Sequence, residues 1–537
     1  MALADPLSLL VLTLLSFHSQ LEILAFATSS DNDFSYMKSV HNATDLRLEE
    51  EYDYIVIGGG TAGCPLAATL SENYSVLVLE RGGVPIAQPT TLTLSGFISN
   101  MRQADDGTTP AQGFTSEEGV STFRGRILGG SSMINAGFYT RAEDEFFLKS
   151  GVYWDMNLVE KAYRWVEETR VVSRPTLAVW QSALNRGLLE AGLVPDNGFT
   201  LKHKIGTKVS GSIFDRKGKR HGAVELLNRG NFKNLRIAVH ATVDRIVFSA
   251  NSLKPSAIGV IYTDSNGKRH RALVRPKGEV ILSAGAIGSP QLLLLSGVGP
   301  RSYLSSLQIP VVYPQPDVGK FMFDNPRNGI GIIFPFPGEI SPVQTVGITK
   351  DYYIQGVSSI LPNSSIRPPF RLFPNFSFPA NLSTGTLAEK TPGPLSWGSL
   401  WLNSSVDVKA SPHVRFNYLS NPIDLYRCVR GVRKVGEILD TNSMDRFKYK
   451  DYNGTRRFFF NGASLPRDYQ SNYSSVEAFC RSTVGTIHHY HGGCLVRKVV
   501  DGDFRVMGVD SLRVVDGSTF TSTPGTNPQA TVMMLGR

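Results

Sequence analysis

The feature that most constrains this 537-residue chain is a glycine-rich turn, Gly58-Gly59-Gly60-Thr61-Ala62-Gly63, placed directly after the apolar run Tyr52 to Ile57. That run shows no apolar/polar alternation, which is the pattern of a parallel strand buried on both faces. The segment CPLAATLSEN that follows reads as a helix, and Ser75 to Glu80 (SVLVLE) reads as a second strand. Together they form a β-α-β unit. In such a unit Gly58 permits the tight turn, Gly60 lets the main chain approach a pyrophosphate, and Gly63 lets helix and strand pack closely. The helix N-terminus attracts the phosphate charge. Glu80, 17 residues beyond Gly63, is placed to accept hydrogen bonds from ribose hydroxyls. The unit predicts a bound dinucleotide but does not separate FAD from NAD.

Composition narrows the remaining possibilities. With 41% apolar and 19% charged residues, the chain can bury a large core, which excludes whole-chain disorder, collagen and a multi-span membrane protein. The net charge is +9, but it is scattered and no Lys/Arg run marks a nucleic-acid surface. The apolar stretch Leu7 to Phe17 followed by Ala25-Phe26-Ala27 reads as a secretory signal spanning residues 1–27. It is too short to cross a hydrocarbon core, which needs about 20 apolar residues, so no stable membrane insertion is expected. Removing it takes away two acidic and no basic residues and leaves +11.

Export fits eight N-x-S/T sequons, at Asn42, Asn73, Asn363, Asn375, Asn381, Asn403, Asn453 and Asn472. The four from Asn363 to Asn403 suggest exposed loops, and Asn73 is the weakest candidate because it lies close to a predicted strand. Of the four cysteines, Cys64 falls inside a predicted buried helix and Cys494 follows a glycine pair expected to pack tightly. Cys428 with Cys480 is therefore the favoured disulfide.

Strand formers between about Asn234 and Ala286 predict more sheet, whereas Phe334 to Pro394, dense in Pro, Ser and Asn, reads as a separate, loop-rich β region. Two further glycine-rich segments follow the first, Gly125 to Asn135 (GRILGGSSMIN) and Gly285 to Gly299 (GAIGSPQLLLLSGVG). In this order after the β-α-β unit they resemble the two signatures of the glucose-methanol-choline (GMC) family of FAD-dependent oxidoreductases, and the resemblance runs from about Tyr52 to the C-terminus. YDYIVIGGGTAGCPLAATL, RGRILGGSSMINAGFY and HYHGGCLVRKVVDGDFRVMGVDSLRVVDGSTF are most similar to the plant mandelonitrile lyase and lyase-like branch.

The resemblance implies an α/β fold, in which a Rossmann-like FAD-binding domain is interleaved with an α+β substrate domain built on an antiparallel sheet. It assigns the FAD part to residues 50–145, 215–325 and 485–537 and the substrate part to 146–214 and 326–484. It implies non-covalent FAD, with the pyrophosphate at Gly58, Gly60, Thr61, Ala62 and Gly63 and the adenosine ribose at Glu80 and Arg81. The adenine would meet Val243, the isoalloxazine ring would lie by Ser131, Asn135, Ala136, Gly137 and Phe138, and Ile127 and His488 would be further cofactor-binding residues. Asp516 and Gly517 would meet the phosphates and ribityl chain, with Pro528 and Gln529 closing over the flavin.

The same resemblance makes His489 the catalytic acid and base and Asn527 its partner, with Gln355 and Ile487 beside the substrate. Read as a strand, Ile487 to Cys494 (IHHYHGGC) puts His489 and His491 on one face and His488 and Tyr490 on the other. Metal ligation by the His-x-His pair is not expected, since no third ligand stands at a recognisable spacing. Asparagine can hold a substrate oxygen but cannot exchange its proton, so the base role falls on His489 alone.

The implied substrate is a small aromatic or apolar hydroxy compound, handled by a monomer. Two reactions stay open, cleavage of a cyanohydrin to aldehyde and hydrogen cyanide, and oxidation of an alcohol. The rosaceous lyases that this chain resembles carry a second histidine at the position of Asn527, a Tyr-Trp pair at Ile487-His488 and a cysteine at Gln355. These departures weigh towards oxidation, and overall similarity towards the lyase. A third reading is an inactive FAD-bearing binding protein.

Overall fold

The computed structural model describes residues 33–169, 171–249, 254–362, 381–450 and 453–537, so the expected leader and the sequons Asn363 and Asn375 lie outside the described residues. Two eight-stranded sheets organise the described residues. The first runs in the spatial order Val40–Asn42, Leu235–Val239, Val76–Leu79, Glu49–Ile57, Arg269–Leu282, Ala257–Thr263, Thr242–Phe248, with Leu512–Val514 added beside Arg269–Leu282. Its first five strands are parallel, and the last two return antiparallel. All four residues of Val76–Leu79 are buried, as an apolar run without alternation requires. The helix Gly63–Ser71 makes the crossover between Glu49–Ile57 and Val76–Leu79.

The second sheet runs Phe459–Asn461, Pro326–Ile333, Asn381–Lys390, Tyr353–Pro362, Thr345–Ile348, Gly206–Val209, Asp196–Phe199, with Val484–Thr486 beside Pro326–Ile333. It is antiparallel except at its outermost pair. Ile330, Ile332, Ile354 and Leu387 pack one face against the helices Val179–Glu190 and Pro422–Leu439. The fold is therefore α/β with a second, antiparallel sheet, as the sequence indicates. The β region expected over 334–394 is present in its described part, but it is not separate, since its strands belong to the second sheet. Tyr353–Pro362 and Asn381–Lys390 pair over ten positions in the middle of the second sheet. Its Ser, Thr and Gly residues let that sheet pass close to its neighbours, which composition alone reads as loop.

Cys428 and Cys480 form the expected disulfide, joining the helices Pro422–Leu439 and Tyr473–Thr483, while Cys64 and Cys494 are free and buried. Gly492 and Gly493 do pack tightly, since a Cβ on Gly492 would lie 1.9 Å from the Phe321 carbonyl oxygen. Asn73, Asn381, Asn403, Asn453 and Asn472 are exposed. Among the described residues no helix is long and apolar enough to cross a membrane.

Candidate active site

A cavity of about 470 Å³ lies between the two sheets. At one end it is lined by Glu80, Arg81 and Val243, in its middle by Gly58, Gly60, Thr61, Ala62, Asp516 and Gly517, and at the other end by Asn135 to Phe138, His489 and Asn527. Ser131, His488, Pro528 and Gln529 also line it, as do Gln355 and Ile487. One cavity thus gathers nearly all of the residues singled out in the sequence. Two are not brought to it. Ile127 is buried in the core beneath the first sheet, because the strand-like pairing of Gly83 with Ile127 turns it inward. Gly63 serves helix packing instead, since a Cβ there would lie 2.0 Å from the Gly58 carbonyl oxygen.

The walls suit an extended, anionic, flat molecule. Gly58 holds φ at +97°, and its missing Cβ would lie 2.5 Å from the Ser283 carbonyl oxygen, so only glycine closes this turn. The helices Gly63–Ser71, Gly285–Leu295 and Gln529–Gly536 all begin at the cavity, and none is capped by the side chain of its own N-cap residue. Their first-turn N–H groups and dipoles favour negative charge. A Cβ on Gly517 or Gly285 would meet nothing within 4 Å, so the wall there is bare backbone. Glu80 is ordered by the turn it serves, accepting from the amides of Gly59 (3.0 Å) and Gly82 (2.8 Å). Burial raises its pKa, with the Gly82 amide foremost among the opposing groups. Asp516 accepts from Gly285 N (2.9 Å), Ser289 Oγ (2.5 Å) and Ser518 N (2.8 Å), which ties this cavity-lining segment to the second helix start. Asn135 Nδ2 donates to Gln529 Oε1 (2.9 Å), and Gln529 Nε2 donates to Phe138 O (2.6 Å). FAD fits this donor set and shape.

The reaction end departs from the strand expected of Ile487 to Cys494. The strand stops at Thr486, and His488 takes φ = 61°, in the left-handed region, so the chain leaves the sheet. Its turn is held by the His488 amide donating to Thr486 Oγ1 (2.7 Å). His488 Nδ1 bonds Thr122 Oγ1 (2.9 Å) and Tyr490 OH donates to Phe123 O (2.7 Å), so both rest on the strand Ser121–Gly125. His491 is a packed residue, stacked on Phe323 with Nδ1 bonded to His489 O (3.0 Å).

His489 is pinned on three sides. Its amide donates to Asp324 Oδ1 (3.1 Å), its Nδ1 lies 3.0 Å from Lys390 Nζ, and its Nε2 lies 3.1 Å from Asn527 Nδ2. Lys390 also donates to the Thr526 carbonyl oxygen. Burial, then the charges of Lys390, His488 and His491, hold the His489 pKa well below 6.5, so the ring is neutral at ordinary pH. Burial brings Lys390 down to about 7 against the opposing pull of Asp324 and Glu143. Burial pushes Asp324 up to about 6, although Thr486, Tyr418 and the His489 amide all donate to it. Arg327, opposite Lys390 across two paired strands, also lines the cavity.

Sequence reasoning missed Lys390, Arg327 and Asp324, none of which belongs to a local motif. Lys390 stands 99 residues from the histidine that it meets. It also missed Arg220, whose fully buried guanidinium donates to the carbonyls of Ser132 (3.0 Å) and Asn135 (2.6 Å) and so braces that stretch of the cavity wall.

The chain matches the GMC oxidoreductase family over residues 52–327 and 394–536. It is 55% identical to (R)-mandelonitrile lyase 1 of Prunus serotina over 96% of this chain and 91% of that protein. It is 52% identical to sinalpyl alcohol oxidase Nec3 of Nesocodon mauritianus over 96% of this chain and 92% of that one. Among solved structures, pyridoxine 4-oxidase from Mesorbium loti superposes with a TM-score of 0.74 at 20% identity, covering 90% of this chain and 97% of that one, a likeness of fold.

Proposed function

We propose, since the chain belongs to the GMC oxidoreductase family and its cofactor is FAD, that it cleaves an aromatic cyanohydrin into an aldehyde and hydrogen cyanide, with His489 as acid and base. Bound FAD supplies a flat oxidised ring that takes up two electrons in an alcohol oxidation and none in this cleavage. The observation that carries the reading is the coupling of a neutral, buried His489 to Lys390 at the end of the cavity, with Arg327 in the same wall.

His489 can act as a base at Nε2 only while Nδ1 carries the ring proton. A lysine brought down to about 7 has an amine form that accepts this Nδ1–H. Asn527 Nδ2, 3.1 Å from Nε2, orients the ring and marks where the substrate hydroxyl sits. The hydroxyl proton passes to Nε2, the carbon–oxygen bond becomes a carbonyl, and the carbon–cyanide bond breaks with its electron pair leaving on cyanide. His489 then returns the proton to cyanide. The imidazole–lysine couple gains positive charge as the anion forms beside Arg327, so the same groups act as base and as electrostatic stabiliser. Asp324, fixed to the His489 amide, holds the ring where this transfer can occur.

The 55% identity to a mandelonitrile lyase supports this reading. Alcohol oxidation is the second reading, favoured by Asn527 in place of a second proton-exchanging group and by the 52% identity to an alcohol oxidase. An exported monomer is part of the proposal, the cavity being built by one chain. The test is anaerobic incubation of the yellow protein with mandelonitrile and, separately, with benzyl alcohol. Benzaldehyde and cyanide without loss of flavin absorbance support the lyase. Bleaching by benzyl alcohol, with no cyanide from mandelonitrile, replaces it with the oxidase, and silence from both removes each.

A further inference from the structure

The buried glutamines of this protein are bonded with one exception. Gln181, Gln291, Gln344 and Gln529 each donate to backbone carbonyls, and Gln112 accepts from Arg124 Nε. Gln355 is 7% exposed, yet among the described residues its carboxamide has no hydrogen-bond partner, and it lines the reaction end of the cavity. The amide opens into the cavity instead of being sealed in the core, so a polar group of a ligand placed at that end can complete it.

Strand register says where on a ligand the partner would be. Arg327, Lys390 and Tyr353 stand opposite one another across three strands and therefore point to the same face. The Tyr353 ring lies 5.3 Å from Lys390 Nζ, which bonds His489. The next row on this face is Gly329, Ala388 and Gln355, two residues or about 7 Å along the strands. Gly329 and Ala388 leave the floor low, and Phe138, Val343, Val357 and Ile487 supply apolar walls. A flat ring with its reacting carbon at His489 spans that step and brings the substituent opposite the reacting carbon to Gln355.

We propose that Gln355 forms a second polar subsite, selecting aromatic hydroxy compounds that carry a hydroxyl or other hydrogen-bonding oxygen on the ring, para to the reacting carbon. The subsite rests on the reading that substrate reacts at His489. The amide both donates and accepts, so it satisfies a phenolic hydroxyl in either role. An unsubstituted ring leaves it unpaired, and a site so built discriminates against the analogue lacking the group.

The test uses the FAD-loaded protein and calorimetric binding of 4-hydroxybenzaldehyde and benzaldehyde, so that no turnover is needed. The wild type is expected to bind the hydroxylated aldehyde roughly tenfold more tightly. Gln355→Leu is expected to erase that preference, so that the two aldehydes bind alike, and Gln355→Met gives the same comparison should the leucine variant fail to fold. Equal binding of the two aldehydes by the wild type, or a preference that survives both substitutions, overturns the subsite and leaves the assigned reaction standing. Failure of both aldehydes to bind the wild type overturns the subsite and the reading beneath it together.

Discussion

The two ends of the cavity are specified in opposite ways. At the nucleotide end, function lies in the backbone: Gly58, Gly60 and the uncapped start of the helix Gly63–Ser71 act through absent side chains and main-chain amides within a contiguous stretch. At the reaction end it lies in side chains drawn from distant strands, with Asp324, Lys390, His489 and Asn527 meeting only in the folded chain. A site of the first kind is fixed by local geometry, and at Gly58 and Gly63 it tolerates no added atom. A site of the second kind is fixed by burial, which tunes charge states and fails gradually.

The sharpest way to break this contrast is to add one methyl group. Gly63→Ala would place a Cβ 2.0 Å from the Gly58 carbonyl oxygen, forcing helix and strand apart. Loss of soluble, FAD-bearing protein is expected, read from the flavin spectrum of purified material. A fully yellow Gly63→Ala protein would contradict the close-packing role.

His489→Ala should act in the opposite manner. Activity is expected to fall by about 10³–10⁴-fold with FAD retained, since His489 serves the reaction end. Steady-state rates and absorbance on one sample check both halves. Lys390→Met comes next, with a loss of roughly 10²-fold in kcat. Because Lys390 depresses the His489 pKa, its removal should also move the acid limb of the rate profile to higher pH. An unmoved limb would uncouple the pair.

The smallest effects concern stability. His203, His488 and His491 are each pushed down to about 4 by burial. The unfolded chain therefore binds protons that the folded one refuses, and stability should fall as pH drops from about 6.5 towards about 4. Glu389, buried on the helix-facing side of the second sheet, has its pKa raised well above 4.5. The folded chain then holds a proton that the unfolded one releases, so this group weakens the fold as pH rises above about 4.5. Glu389→Gln is expected to raise Tm by a few degrees at neutral pH, and thermal melts at several pH values check both signs.

The same contrast explains what was legible in the sequence. Strand, turn, helix and acid follow one another from Tyr52 to Glu80, so the first sheet and its ligand class can be read locally. His489 and Asn527 became visible through family resemblance, and the structure brings them within hydrogen-bond distance. Lys390 was hidden because strand pairing, which no short window encodes, carries it to the histidine. The histidine segment, whose face assignment assumes a strand, instead leaves the sheet at the left-handed turn of His488, which is held by the His488 amide donating to Thr486 Oγ1 and has no signature in alternation. The region 334–394 reads from composition as a separate, loop-rich β region, but in its described part Asn381–Lys390 is a largely buried strand paired with Tyr353–Pro362, which its Ser, Thr and Gly content does not announce.

The claim that His489 breaks a carbon–carbon bond is tested most directly by comparing mandelonitrile with its α-deuterated form under anaerobic conditions. The α C–H bond survives cyanohydrin cleavage, so the rate ratio should stay close to unity while benzaldehyde keeps the deuterium. A several-fold slowing by deuterium, accompanied by loss of flavin absorbance, would show that this bond is the one broken and would contradict the account.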